Sequence, residues 1–274
     1  MDKIENIDRL KEIANNLRID ILKMLNAAGS GHTAGSLGMA DIMTALYFNI
    51  LNHDPKKPTW DERDRLILSN GHIVPVRYAA MARSGYFPIT KLKTLRKLGS
   101  SLQGHPSYHD LPAMECSGGP LGQGISVAVG MALAAKLNNE KYHVYCTVGD
   151  GELDEGQCWE GFMMAAKHKL NNLTFIIDHN HIQIDGTTDE VMPLDPLISK
   201  LKAFNLEVKI INGHNFKQIL SELKSKSKSK PKAIIAKTIP GKGISFMENK
   251  SQWHGITPND EELLKALKEL EYVK

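Results

Sequence analysis

Short apolar runs and longer helical patterns alternate along the chain. Near the start, Ile4, Ile7, Leu10, Ile13, Leu17, Ile21 and Leu25 recur three or four residues apart, which predicts an amphipathic helix. Charged residues interrupt it throughout, so it reads as neither a signal peptide nor a membrane span. β-Branched apolar runs predict strands over residues 65–69, 143–148, 173–178, 207–211 and 233–238. Several are continuously apolar rather than alternating, the pattern of parallel strands covered on both faces. Helical spacing fills the intervals at 39–51, 74–84, 124–137, 155–168, 216–224 and 260–271. The alternation predicts an α/β fold, a doubly wound and mostly parallel sheet flanked by helices, as a single domain over residues 1–274. Ligands of such folds sit beyond the carboxyl ends of the strands. Ser69-Asn70-Gly71-His72, Gly149-Asp150-Gly151 and Asp178-His179-Asn180 end three predicted strands and are expected to meet at one crevice.

Composition narrows the classes. A chain of 274 residues with 42% apolar and 24% charged residues can bury a sizeable core. A formal net charge of +3 is too small to argue for nucleic acid, and no apolar stretch is long enough for a membrane span. The lysine- and serine-rich run over 224–232 reads as a solvated loop. Cys116, Cys146 and Cys158 share no CxxC spacing and suggest no disulfide framework, so a reducing, cytoplasmic setting is expected.

The most informative segment is GDGELDEGQCWEGFMMAAKHKLNNLTFIIDHNHIQIDG, residues 149–186. Gly149 and Gly151 let the backbone turn sharply and approach a ligand, and a following helix would point free N–H groups at the turn. A lone Asp150 there would repel a phosphate. The conflict disappears if Asp150 binds a divalent cation that also binds phosphate, as Mg²⁺ does with few protein ligands. Asn180 at the next strand end offers an amide oxygen, and the backbone carbonyl of Ile182 completes the set. Met163 and Met164 on the intervening helix read as core filler. Gly122-Gln123-Gly124 carries Val127 where a dinucleotide loop needs its third glycine, and no Walker loop is present.

The segment 149–186 resembles the thiamine diphosphate signature, GDG followed some thirty residues later by asparagine. Among the eleven histidines, His32, His72, His105 and His254 each stand in a glycine or turn context. They form no HExxH or HxxxH spacing, which argues against zinc, and imidazole suits proton traffic around hydroxyls and phosphates. The motifs SGHxxGSLGMADI, DRxILSxGH, GHP, SGGPLGQGIS, GDGELxEG and WHG resemble, in order, the transketolase N-terminal domain over residues 18–262. His179, between Asp178 and Asn180, departs mildly from that pattern.

The resemblance implies thiamine diphosphate and Mg²⁺ (or Ca²⁺ or Mn²⁺) held through Asp150, Asn180 and Ile182, with Gly151 and Asn180 beside the cofactor. His72 and His254 would bond its diphosphate, and Gly119, Leu121 and Ile184 would pack against its rings. His32, His105 and His254 would contact substrate hydroxyls and carbonyl. Glu155 and Glu160 would meet their symmetry mates across a dimer and relay protons. Lys242, in the loop leading to His254, would contact phosphate. The implied activity is that of a transferase of aldehyde or ketone residues, moving a two-carbon ketol unit from a ketose phosphate to an aldose phosphate. Full transketolases are more than twice this length, so the aminopyrimidine-binding domain is expected from a separate C-terminal subunit in an α₂β₂ heterotetramer. Alternatives are a related enzyme with another sugar donor or acceptor, a non-catalytic regulatory subunit, and a nicotinamide oxidoreductase that lacks its dinucleotide loop.

Overall fold

The computed structural model describes residues 3–271, so residues 1, 2 and 272–274 of the expected domain lie outside the described residues. In chain order the elements are α1 (Ile7–Ala28), α2 (Ala34–Gly38), α3 (Ala40–Ala45), β1 (Arg65–Leu68), α4 (Val74–Ser84), α5 (Gln123–Leu137), β2 (Val144–Gly149), α6 (Gly156–Lys167), β3 (Leu173–His179), β4 (Ile182–Gln183), β5 (Gly186–Thr187), α7 (Thr188–Val191), α8 (Leu197–Ala203), β6 (Glu207–Asn212), α9 (Phe216–Lys224), β7 (Lys232–Lys237) and α10 (Asp260–Glu271). All five predicted strands form one sheet in the order β1-β2-β3-β7-β6, and every pairing is parallel.

Successive strand side chains point to opposite faces, and the two faces bury two different cores. Leu66, Leu68, Ile176, Ile234 and Ala236 pack under α1, α3, α4 and α9. Ile67, Val144, Cys146, Phe175, Ile177 and Ile235 pack under α5, α6 and α8. Both sets are apolar, which is why these strands read as unbroken apolar runs. Helix α1 begins at the Asn6 cap, whose side chain accepts from the Arg9 amide, and ends at Gly29 in the left-handed region with φ of 66°. Its predicted stripe from Leu10 to Leu25 is buried.

Four expectations change. The helix expected over 39–51 is broken: α2 precedes it, α3 covers only its first part, and Leu46–Ile50 widens into a π-helical turn. Every residue of these pieces is buried, so no polar face marks where one stops. The helix expected over 155–168 is α6, with Glu155 at its N-cap position, but a 3-10 turn, Gly151–Asp154, stands between it and Gly149-Asp150-Gly151, so its free N–H groups do not meet the glycine turn as expected. Met163 and Met164 are not core, being 60% and 44% exposed; α6 turns Cys158, Gly161, Phe162 and Ala165 inward instead. The lysine run is solvated only in part. Lys232 is buried, and its Nζ donates to the Glu222 and Ser225 carbonyls and to the Ser225 hydroxyl, which satisfies the ammonium without water. The β4–β5 hairpin turns through Ile184-Asp185, with Gly186 paired to Gln183, and the Asp185-Gly186 dipeptide is its only mark in the sequence.

Candidate functional site

The carboxyl ends of β1, β2 and β3 open into a cavity of about 310 Å³. His32, His72, His105 and His254 line one side of it, and their rings form a cage. The His32 ring centroid lies 5.0 Å from His72, 5.6 Å from His254 and 6.4 Å from His105, and His72 lies 5.2 Å from His254. Four segments distant in sequence supply them: the turn before α2, the 3-10 turn after β1, the loop before α5 and the segment before α10. Burial lowers every one of these imidazoles from its ordinary pKa, to about 4 for His32 and about 3 for His72, and their neighbours' charges add to the effect at both. At neutral pH the cage is therefore uncharged, each ring offering one donor and one acceptor. Nδ1 of His32 is buried without a hydrogen-bond partner among the described residues, so it is open to a ligand.

Asp150, Gly151, Asn180 and Ile182 line the same cavity, as do Gly119, Leu121 and Ile184. Eleven of the fourteen predicted site residues thus share one cavity. Asp150 is held at the end of β2: its Oδ1 accepts from the Gly151 amide at 2.8 Å and its Oδ2 from the His181 amide at 2.6 Å. The amide of Gly151 is thus committed to this carboxylate. Asn180 is oriented by Asp178, whose Oδ2 accepts from Asn180 Nδ2 at 3.0 Å, while Asn180 Oδ1 accepts from the Ile182 amide at 3.0 Å. Asp178 is fully enclosed at the end of β3, where the Thr238 hydroxyl also donates to it. Burial, then the nearby Asp178 charge, raises Asp150 to about 7, and burial raises Asp178 to about 6. Two enclosed carboxylates without a cationic partner fit a divalent cation. Among the described residues no cluster of three or more His, Cys, Asp or Glu is placed to hold a metal.

Glu152, which the sequence marks only as a letter of GDGELxEG and without a role, is a positioning residue of the site. It is 2% exposed. Its Oε1 accepts from the Gly122 amide at 2.7 Å and from the Ser69 hydroxyl, and its Oε2 from the Gly149 amide at 3.0 Å. One carboxylate therefore ties the loop carrying His72, the turn carrying Leu121 and the turn carrying Asp150.

Glu155 and Glu160 do not reach the cavity. Both are exposed on the outside of α6. Lys242 also lies outside the lining and pairs with Glu248 at 3.1 Å. His179 and His181 stand with ring centroids 4.0 Å apart on the turn after β3.

A family model described as transketolase, thiamine diphosphate binding domain, matches residues 9–272. The chain is 43% identical to the 6-deoxy-6-sulfo-D-fructose transketolase subunit of a Clostridium species, and 40% identical to one subunit of the apulose-4-phosphate transketolase of Actinobacillus succinogenes. In each case the match covers 96% of both chains. The crystal structure of transketolase from Campylobacter jejuni superposes with a TM-score of 0.91 at 36% identity, covering 97% of this chain and 43% of that one. The chain thus spans less than half the length of that full transketolase. A fold, a cleft and an ordered set of motifs that agree along nearly the whole chain place it in the transketolase family, as that family's thiamine diphosphate-binding domain.

Proposed function

We propose that this chain is the diphosphate-binding half of a two-subunit transketolase of the reducing cytoplasm, moving a two-carbon ketol unit from an anionic ketose to an aldose phosphate. The observation that carries this reading is the placement of an uncharged four-histidine cage in one cavity with Asp150 and Asn180. The cavity is lined by Asp150, Glu152, Asp178 and Asp185 and by no lysine or arginine. A diphosphate can enter such a lining only with a cation, which supports Mg²⁺, Ca²⁺ or Mn²⁺ on Asp150, Asn180 and the Ile182 carbonyl. Bound thiamine diphosphate would supply the nucleophilic carbon and electron sink that the reaction needs.

The chain's own residues bind, orient and move protons. His72 and His254 would donate to the diphosphate. Gly119, Leu121 and Ile184 offer backbone and apolar surface to the rings. His32 and His105 would hold substrate hydroxyls and exchange protons as neutral imidazoles, a role suited to rings that stay uncharged at neutral pH. Glu155 and Glu160, exposed in this chain, would meet their counterparts in an α₂β₂ assembly.

Two relatives matched over 96% of their length are named as transketolase subunits, which supports a separate partner bearing the aminopyrimidine-binding domain. Their names also favour a second donor class, a sulfonated ketose or apulose 4-phosphate, over the pentose phosphates. The test is ketol transfer to ribose 5-phosphate from xylulose 5-phosphate and from 6-deoxy-6-sulfofructose, with Mg²⁺ and thiamine diphosphate. The chain is assayed by itself and with its partner chain. Transfer only in the mixture supports the proposal. Transfer by the chain alone refutes the shared site, and cofactor binding without transfer from any ketose refutes the activity.

A further inference from the structure

His214, on the turn after β6, joins a buried ion pair to the chain that leaves β7. Its Nδ1 lies 2.7 Å from Asp41 Oδ2, and the Ile239 amide donates to its Nε2 at 2.8 Å. An Nε2 that accepts carries the lone pair, so Nδ1 carries the proton and donates to Asp41. Asp41 does not need this bond to balance its charge. Arg18 already donates to both of its oxygens, at 2.6 and 3.3 Å, and both side chains are buried. What His214 adds is a link from that anchored pair to the segment 238–241.

That segment bears on two groups of cavity residues. The Thr238 hydroxyl donates to Asp178, which orients Asn180. Pro240 has no N–H, so Ile239 and Gly241 supply the amides of the turn. The Gly241 amide donates at 2.9 Å to the carbonyl of Ala34, the first residue of α2 and two residues from His32. The Ile239 carbonyl oxygen lies against bare Gly38 at the end of α2, 3.0 Å from where a Cβ would stand. Beside His32, the Thr33 hydroxyl donates at 2.6 Å to the carbonyl of Ile256, two residues after His254. A hold on Ile239 therefore acts on Asn180 through Thr238 and on the cage through α2.

We propose that His214 is a positioning residue of the site: by accepting from the Ile239 amide it seats residues 238–241 against α2 and sets the histidine cage relative to Asn180. The inference rests on the proposed function and adds to it a residue that does not line the cavity. The Asp41 bond orients the ring, and the Nε2 lone pair holds the segment.

Asparagine and glutamine separate the two bonds of the ring, because an asparagine Nδ2 takes the place of Nδ1 and a glutamine Oε1 that of Nε2. His214→Gln keeps the acceptor for Ile239, His214→Asn keeps only the donor to Asp41, and His214→Leu keeps neither. Each is compared with wild type in complex with the partner chain. The readouts are amide hydrogen exchange over residues 238–249 and over α3, and calorimetric titration with thiamine diphosphate in the presence of Mg²⁺. Loss of the Ile239 bond predicts that His214→Leu and His214→Asn speed exchange over 238–249, with α3 changed far less, and raise the cofactor Kd about 3- to 10-fold, the worth of one hydrogen bond. His214→Gln is expected to stay within about 2-fold of wild type in Kd and to keep the slow exchange. Should the leucine variant fail to fold, the contrast between asparagine and glutamine still decides. Rescue by asparagine instead of glutamine overturns the assignment, and so does a Kd unchanged in His214→Asn. Equal loss in asparagine and glutamine overturns it too, since general damage then explains both. Wild type that binds no thiamine diphosphate overturns the proposed function, and this inference falls with it.

Discussion

Replacing Glu152 by alanine tests whether one carboxylate holds the cofactor loops in register. The change removes the acceptor for two backbone amides, Gly122 and Gly149, and for the Ser69 hydroxyl, all at a side chain 2% exposed. An unsatisfied buried donor costs about 1–3 kcal/mol, so three donors at the lower bound cost about 3 kcal/mol. Two effects keep the net near that bound. The Ser69 hydroxyl can turn to another acceptor, and burial already pushes the Glu152 carboxyl above its ordinary pKa, so removing it relieves a desolvation cost. The expected loss of about 3 kcal/mol is a large share of a typical folding free energy. Urea denaturation of wild type, Glu152→Ala and Glu152→Gln measures it. Glutamine keeps one carbonyl oxygen but turns an amine on at least one of the donors, so an intermediate loss is expected. Calorimetric titration with Mg²⁺ and thiamine diphosphate should also show weaker binding in the alanine variant, because the loops carrying His72, Leu121 and Asp150 lose their common tie. A loss under about 1 kcal/mol with unchanged cofactor affinity would refute the reasoning.

Three further outcomes are expected. Saturating the wild-type complex at a hundredfold excess over Kd with Mg²⁺ and thiamine diphosphate should stabilise it by about 2.7 kcal/mol, and Asp150→Asn should lose that gain at the same concentrations; a melting shift retained in the variant would rule out Asp150 as the metal ligand. Burial lowers His143 from 6.5 to about 3, with Lys226 and Lys232 adding to the effect, so the unfolded chain takes up its proton first and stability is full above pH 6.5 and falls as pH drops toward 3. At pH 5 this term amounts to about 2 kcal/mol, and the stability difference between wild type and His143→Gln should shift by that amount between about pH 7.5 and pH 5; a difference independent of pH contradicts it. Gly241→Ala should cost at least about 1–3 kcal/mol in denaturation, because the residue sits at φ of +76° and its Cβ would come within 2.5 Å of the Met247 carbonyl oxygen; a neutral effect would show that the loop relaxes freely.

What the sequence makes legible is what depends on local pattern. Strands β1, β2, β3 and β7 can be read because each buries both faces, so apolar runs such as Leu173 to Ile177 appear without a polar alternate, while the edge strand β6 is legible through Val208, Ile210 and Ile211 although it is largely half-exposed. The cage histidines can be read because each sits in a glycine-rich turn, and turns at strand ends are where such folds place ligands. The failures share a different cause. Lys232 looks like one more charge in a solvated run, and only tertiary structure brings the Glu222 and Ser225 carbonyls around its ammonium. Met163 and Met164 fit a helical apolar stripe, yet the inward face of α6 is set by how closely Gly161 lets α5 approach, with Ile125 within 2.6 Å of where its Cβ would stand. Glu152 is hidden for the same reason: its partners Ser69 and Gly122 are 83 and 30 residues away.

The electrostatics of the cleft tie these observations to its function. Buried carboxylates are ordinarily matched by a cation, as Asp41 is by Arg18 and Asp20 by Arg83 elsewhere in this chain. Asp150 and Asp178 are enclosed beside no lysine or arginine, at a cost visible in their raised pKa values. A chain selected only for stability would have little reason to keep them, since a few substitutions could neutralise both. Unmatched carboxylates in one cavity with a cage of neutral histidines mark a cleft built to take a cation, and with it an anionic ligand that the lining by itself would repel.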